Sequence, residues 1–205
     1  SVIPGHVVID IKSGSINFPD VLMIQGLYQF QPPLPFTPGG ESAGIISEVG
    51  EDVTKFKVGD KVFAMTGTGA FAEKILAHEA SCMLIPNSMD YDSAAALSMT
   101  YGTSLYALKQ RANIQPGETL LVLGASGGVG IAAIELGKAM GAKVIAAAST
   151  QDKVDMCMAH GADEGFIYPS GNLDRDQQKQ LSNKIKELTG GMGANVVYDP
   201  VGDSY

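Results

Sequence analysis

The chain is 205 residues long and 45% hydrophobic, with 14 basic against 22 acidic side chains and a net charge of −8. That acidic balance argues against nucleic acid as a partner, which needs a basic footprint, and no apolar run approaches the roughly 18 residues that a membrane span requires. Cys82 and Cys157 are the only cysteines, and without C-x-x-C spacing they predict neither a disulfide framework nor a structural zinc.

Residues 6 to about 118 read as strands and turns. Strands are expected at 7–11 and 42–50, and a turn at 58–60 leads into a third ending at Phe63. Residues 71–76 alternate apolar and polar. Pro32, Pro33, Pro35 and Pro38-Gly39-Gly40 mark a long loop. A short helix is expected over 19–24, with Asn17 a natural N-cap, and two more over 92–97 and 103–109, the second opening at Thr103. From 119 the pattern changes. Strands near 119–124, 143–148, 165–168 and 195–199 alternate with helices, the most polar at 174–189, and such alternation implies a parallel sheet. The expected class is α/β, with a β domain at 1–118 and a Rossmann domain at 119–205.

The strand ending at Gly124 runs into Ala125-Ser126-Gly127-Gly128-Val129-Gly130 and then an apolar helix. A glycine turn between strand and helix is the pattern of a dinucleotide phosphate cradle. Gly127 and Gly128 let the backbone turn and approach a pyrophosphate, Gly130 lets helix and strand pack closely, and the free N–H groups of Ser126 to Gly130 face an anion. Ala125 takes the place of the first glycine of G-x-G-x-x-G. The competing reading is a plain glycine turn without a ligand. An NAD site usually ends its second strand with an acid about 20 residues on. Counting 19 positions from Gly130 reaches Ser149, with Lys153 close behind. A hydroxyl and an ammonium suit a 2′-phosphate, which predicts NADPH over NADH. Asp152 weakens that field, and Lys153 also reads as a solvated first-turn lysine.

Together, Asn17-Phe18-Pro19-Asp20, Gln25-Gly26-Leu27-Tyr28, Gly39-Gly40-Glu41, Val58-Gly59-Asp60-Lys61-Val62, the glycine turn, Gly161-Ala162-Asp163 and Tyr198-Asp199-Pro200-Val201-Gly202 resemble the medium-chain dehydrogenase/reductase superfamily. Within it they resemble the zinc-free quinone oxidoreductases related to zeta-crystallin. The resemblance implies a GroES-like β domain and a Rossmann domain, here expected to lack the start of the first and the end of the second. It places Asn17, Gly40 and Met99 where zinc alcohol dehydrogenases hold their metal; asparagine and glycine are poor zinc ligands and a thioether prefers softer metals.

The resemblance also implies roles for individual residues. Asn17 and Tyr28 are the candidate catalytic pair, Asn17 beside the nicotinamide and Tyr28 as hydrogen-bond or proton donor to the substrate carbonyl. Thr103 would contact the nicotinamide amide and Tyr168 the adenosine end. Thr103 also reads as a helix N-cap and Tyr168 as a strand-end tyrosine. Asp199 reads better as a turn cap than as a catalytic acid, and His6, His78 and His160 as structural. The expected activity is hydride transfer from NADPH to a small quinone or α,β-unsaturated carbonyl. A 2-enoyl-thioester reductase and a non-catalytic NADPH-binding protein are the alternatives. A homodimer is expected of the full-length protein, with no membrane partner, in the cytoplasm or, given an unseen leader, the mitochondrion.

Overall fold

Strands with alternating burial dominate the first half of the chain, and β-α alternation governs the second. In a computed structural model, which describes residues 2–169 and 171–202, they form two compact units, Ser1–Met99 and Thr100–Tyr205.

The first unit is built on β1 (His6–Ser15), β2 (Glu41–Val49), β3 (Lys61–Met65), β4 (Lys74–His78) and β5 (Cys82–Leu84). All neighbours are antiparallel, in the order β4-β1-β2-β3-β5. One face buries Val7, Ile9, Ile46, Val62 and Ile75 together. The other packs Ala43 and Phe63 against Ala94 and Ala95 of helix α2 (Tyr91–Ala95). Helix α1 (Phe18–Ile24) follows β1, with Asn17 as its N-cap. The strand expected at 71–76 lies later, at 74–78. The N–H groups of Ala70 and Phe71 bond to the carbonyls of Gly39 and Pro38, which takes this stretch out of the ladder. Strand β5 has three residues, too few for a two-residue period to register.

In the second unit, β6 (Thr119–Val122), β7 (Lys143–Ala148), β8 (Glu164–Ile167) and β9 (Val196–Tyr198) form a parallel sheet in the order β8-β7-β6-β9. Its central strands β6 and β7 are covered on both faces, and odd and even residues part accordingly. Leu120, Val122, Val144 and Ala146 pack with Ala133 and Ile134 of α4 (Gly128–Ala139). Leu121, Ile145 and Ala147 pack with Leu181, Ile185 and Leu188 of α6 (Arg175–Leu188). Helix α5 (Gln151–Ala159) links β7 to β8. This strand order reverses direction between β6 and β9, and the crevice at the carboxyl ends there is the usual ligand position of an open α/β sheet.

Helix α3 (Leu97–Leu105) runs without a break into a π-helical turn, Tyr106–Arg111. The helix expected to open at Thr103 therefore opens six residues earlier, and Thr103 lies inside it rather than capping it. Leu108 and Ile114 belong to the core of the parallel sheet, so the structural division falls at 99/100, ahead of the expected 118/119.

Candidate functional site

The glycine turn sits at the carboxyl end of β6. Gly124 has φ +56, and a Cβ there would stand 2.5 Å from Val201 Cγ2. At Gly130 a Cβ would stand 2.5 Å from the Ala125 carbonyl oxygen. These two glycines are demanded by the fold. Gly127 is different. It is the exposed N-cap of α4 with φ −75 and ψ 163, an ordinary extended conformation, and an added Cβ would meet only the Gly124 oxygen at 3.5 Å. Serine, aspartate or asparagine would cap the helix better. The fold leaves room for a side chain at Gly127 and none is there, which fits a backbone that something else must approach. The first-turn N–H groups, over Gly128, Val129 and Gly130, have no intrahelical partners, and the helix dipole adds to their pull on an anion.

The turn is braced from two sides. The Gly124 N–H donates to the Tyr168 hydroxyl at 3.1 Å. Tyr168 is only 6% exposed and belongs to the core cluster beneath the sheet, so its hydroxyl supports the turn. Opposite, the fully buried Ser104 of α3 donates to the Val129 carbonyl at 2.8 Å and lies 3.1 Å from the Tyr198 hydroxyl of β9. Thr103, one residue earlier, faces solvent. Sequence reading picks the exposed threonine and misses the buried serine; a small polar residue flanked by Thr103 and Leu105 carries no local mark of burial.

At the end of β7 the Lys153 ammonium donates to the Ser149 hydroxyl at 3.2 Å. Thr150 caps α5 by accepting from the Lys153 N–H. That places Lys153 in the first turn with its side chain folded back over the strand end, so the two candidate 2′-phosphate residues are brought together. Asp199 Oδ1 accepts from the N–H groups of Val201 and Gly202, each at 3.0 Å, the turn-capping role expected of it.

In the first unit, the Asn17 N–H donates to Asp20 Oδ2 at 2.8 Å, and Asp20 Oδ1 accepts from Gly39. Asn17 thus stands at the N-cap as expected, in a capping box with Asp20, while its side-chain Nδ2 finds other partners. Its Nδ2 donates to Glu41 Oε1 at 2.8 Å and to Ser15 Oγ at 3.0 Å. Glu41 is 1% exposed. Its Oε1 also accepts from the Ser15 hydroxyl at 2.6 Å, and its Oε2 from the Met99 N–H at 2.8 Å. Glu41 closes the Gly39-Gly40-Glu41 motif, yet nothing local marks it as buried. Tyr28 lies in the loop after α1, half-buried, its carbonyl accepting from Gln31. Among the described residues no hydrogen bond joins it to Asn17.

Residues 3–87 match the family model of the alcohol dehydrogenase GroES-like domain, and residues 128–205 that of the zinc-binding dehydrogenases. The quinone oxidoreductase-like protein 2 of Rattus norvegicus is 40% identical over 97% of this chain and 55% of its own length. The chain thus spans about half the length of the curated relatives it matches. Among solved structures, the quinone oxidoreductase of Pseudomonas syringae superposes with a TM-score of 0.88 at 37% identity, over 99% of this chain and 60% of that one. A mycobacterial protein complexed with NADPH superposes with a TM-score of 0.88 at 31% identity, over 98% and 60%.

The residues at hand do not fit the zinc that the second model's description implies. Asn17 Nδ2 spends its protons on Glu41 and Ser15, and Gly40 has no donor atom. Were Gly40 given a Cβ, the Met99 methyl would lie 3.8 Å from it. No cluster of three metal-ligating His, Cys, Asp or Glu exists among the described residues, nor is any described helix long and apolar enough to cross a membrane. A dinucleotide phosphate does fit, on the open N-cap of α4. With an antiparallel GroES-like unit, a parallel Rossmann-like sheet and family models matching in each, the chain belongs to the medium-chain dehydrogenase/reductase superfamily.

Proposed function

We propose that this chain carries an NADPH-dependent oxidoreductase activity that reduces a quinone or an α,β-unsaturated carbonyl without zinc. The observation that carries the reading is Gly127, a helix N-cap where the fold tolerates a side chain and the sequence keeps the backbone bare. The turn from Ser126 to Gly130 holds the pyrophosphate through backbone N–H groups, and Tyr168 acts through the Gly124 amide that it anchors. Ser149 and Lys153 receive the 2′-phosphate, the lysine as a point charge and the serine as a donor. Asn17 and Thr103 serve the nicotinamide end.

Bound NADPH supplies the hydride. The chain supplies position and hydrogen bonds. In this reading Tyr28 donates to the substrate carbonyl oxygen, where negative charge develops, and passes it a proton. The relatives' names and the NADPH-bound neighbour support this reading.

The test is a titration of NADPH and NADH into the full-length protein, followed by bound-cofactor fluorescence, with Ser149→Asp alongside. Tighter NADPH binding that Ser149→Asp reverses toward NADH supports the cofactor assignment. Equal affinities would overturn it. NADPH oxidation with a panel of quinones and enones then tests the activity, and tight binding with no turnover on any of them would favour the non-catalytic alternative.

A further inference from the structure

Glu41 is a fully buried carboxylate with no ion-pair partner among the described residues, and the proposed chemistry gives it no part. Three neutral donors converge on it: the Asn17 side-chain amide, the Ser15 hydroxyl and the Met99 backbone N–H, at 2.6 to 2.8 Å. A carboxylate can only accept. If the Asn17 amide were turned over, its carbonyl oxygen would face Glu41 Oε1 at the same 2.8 Å, lone pair against lone pair. Ser15 cannot relieve this, because its only proton is given to Glu41. The amide is planar, so with Nδ2 held inward the carbonyl Oδ1 is held on the opposite branch, away from the carboxylate. Asn17 is half-buried; its Oδ1 stands toward the Asp20 N–H in the capping box of α1 and keeps a second lone pair for a ligand.

We infer that Glu41 is a positioning residue that fixes the polarity of Asn17, so that the site offers a hydrogen-bond acceptor to the nicotinamide half of the cofactor, through its carboxamide N–H or a ribose hydroxyl. The inference rests on the nucleotide reading above and specifies which atom of Asn17 does the binding.

Glu41→Gln tests it with almost no change of shape. The Met99 N–H demands an oxygen opposite it, so the new amide nitrogen must face Asn17. Asn17 then turns over to accept from it and presents Nδ2 outward, replacing an acceptor with a donor. In the full-length protein, Glu41→Gln should weaken NADPH binding about tenfold while leaving 2′,5′-ADP, which lacks the nicotinamide half, bound as in the wild type. Adding Asn17→Asp restores an outward oxygen, because one oxygen of the carboxylate introduced at position 17 accepts from the amide introduced at position 41 and the other faces out. The double variant should recover most of the lost affinity. Side-chain NH2 exchange of Asn17 by NMR gives a readout in the wild type alone, with slow exchange expected for two bonded protons.

Unchanged NADPH affinity in a folded Glu41→Gln would overturn the inference, as would a folded double variant that recovers nothing, or rapid Asn17 amide exchange in the wild type. If the wild-type protein binds neither NADPH nor 2′,5′-ADP, the nucleotide reading itself fails and the inference falls with it.

Discussion

Gly130→Ala is the sharpest test of how the turn is built. The added Cβ would stand 2.5 Å from the Ala125 oxygen, 2.7 Å from its carbonyl carbon and 2.8 Å from its Cα. Backbone atoms cannot rotate aside as a side chain can. Ala125 is fully buried, and its N–H is tied to the Ala147 carbonyl of β7 at 3.0 Å, so the strand side cannot yield. Helix α4 must therefore move out by roughly 1 Å to reach ordinary contact distance. That loosens Ala133 and Ile134 from the strand residues Leu120 and Val144 with which they form one core cluster. Overpacking of this kind costs about 3 kcal/mol, and the helix propensity of alanine over glycine returns about 1. The net loss is about 2 kcal/mol, or a fall in Tm of roughly 4–8 °C for a protein of this size. Thermal unfolding followed by far-UV circular dichroism, with a urea midpoint beside it, reads the change. Gly102→Ala in α3 is the control. Nothing lies within 4 Å of its Cβ position, and a gain of about 0.5–1 kcal/mol is expected. A Gly130→Ala protein as stable as the wild type would refute the argument that close helix–strand approach requires this glycine.

Ser104→Ala strips the Val129 carbonyl and the Tyr198 hydroxyl of a buried partner and should cost about 2 kcal/mol; an unchanged urea midpoint would show that water fills the gap. Gly127→Ala should leave the Tm within about 2 °C yet weaken NADPH binding at least tenfold, since the Cβ takes the place of approaching phosphate; equal binding would make the turn purely architectural. The surface cluster of Tyr101, Glu135 and His160 should give stability a pH dependence. The Tyr101 hydroxyl donates to Glu135 Oε2, and His160 Nδ1 lies 2.7 Å from Glu135 Oε1. The Tyr101 bond, then that of His160, holds the Glu135 carboxyl below its usual range, so its contribution is full above the unfolded value near ~4.3 and fades as pH falls through the depressed one. The same Glu135 bond pushes the Tyr101 phenol up to about 12, so that contribution is full below about pH 10 and fades as pH rises toward 12. The stability difference between wild type and Tyr101→Phe, followed by urea unfolding, should be widest between these limits, and a flat difference across pH would show that the cluster carries no linkage.

Much of the second unit is readable because its signals are local. The strand–glycine–helix order at 119–139, the absence of an acid at the end of β7, and the pairing of Ser149 with Lys153 four residues on all lie within a few turns of chain. The α3 boundary is misread because Gly102 and Thr103 look like a break and a cap. Leu97–Leu105 nonetheless forms one helix, with Ser104 on its buried face. The sheet order β8-β7-β6-β9 has no local signature, because parallel pairing is decided by crossovers rather than by any strand's own residues.

The sequence by itself determined the class of each half and the place of the glycine turn between β6 and α4, because period, turn chemistry and glycine spacing act over neighbouring residues. Tertiary structure alone decided which polar groups distant in the chain work together. Asn17 meets Glu41 across 24 residues, Glu41 meets Met99 across 58, and Ser104 meets Tyr198 across 94. Such bonds form only when burial removes water as the competing partner, and no local pattern records which distant donor will then stand opposite a carboxylate.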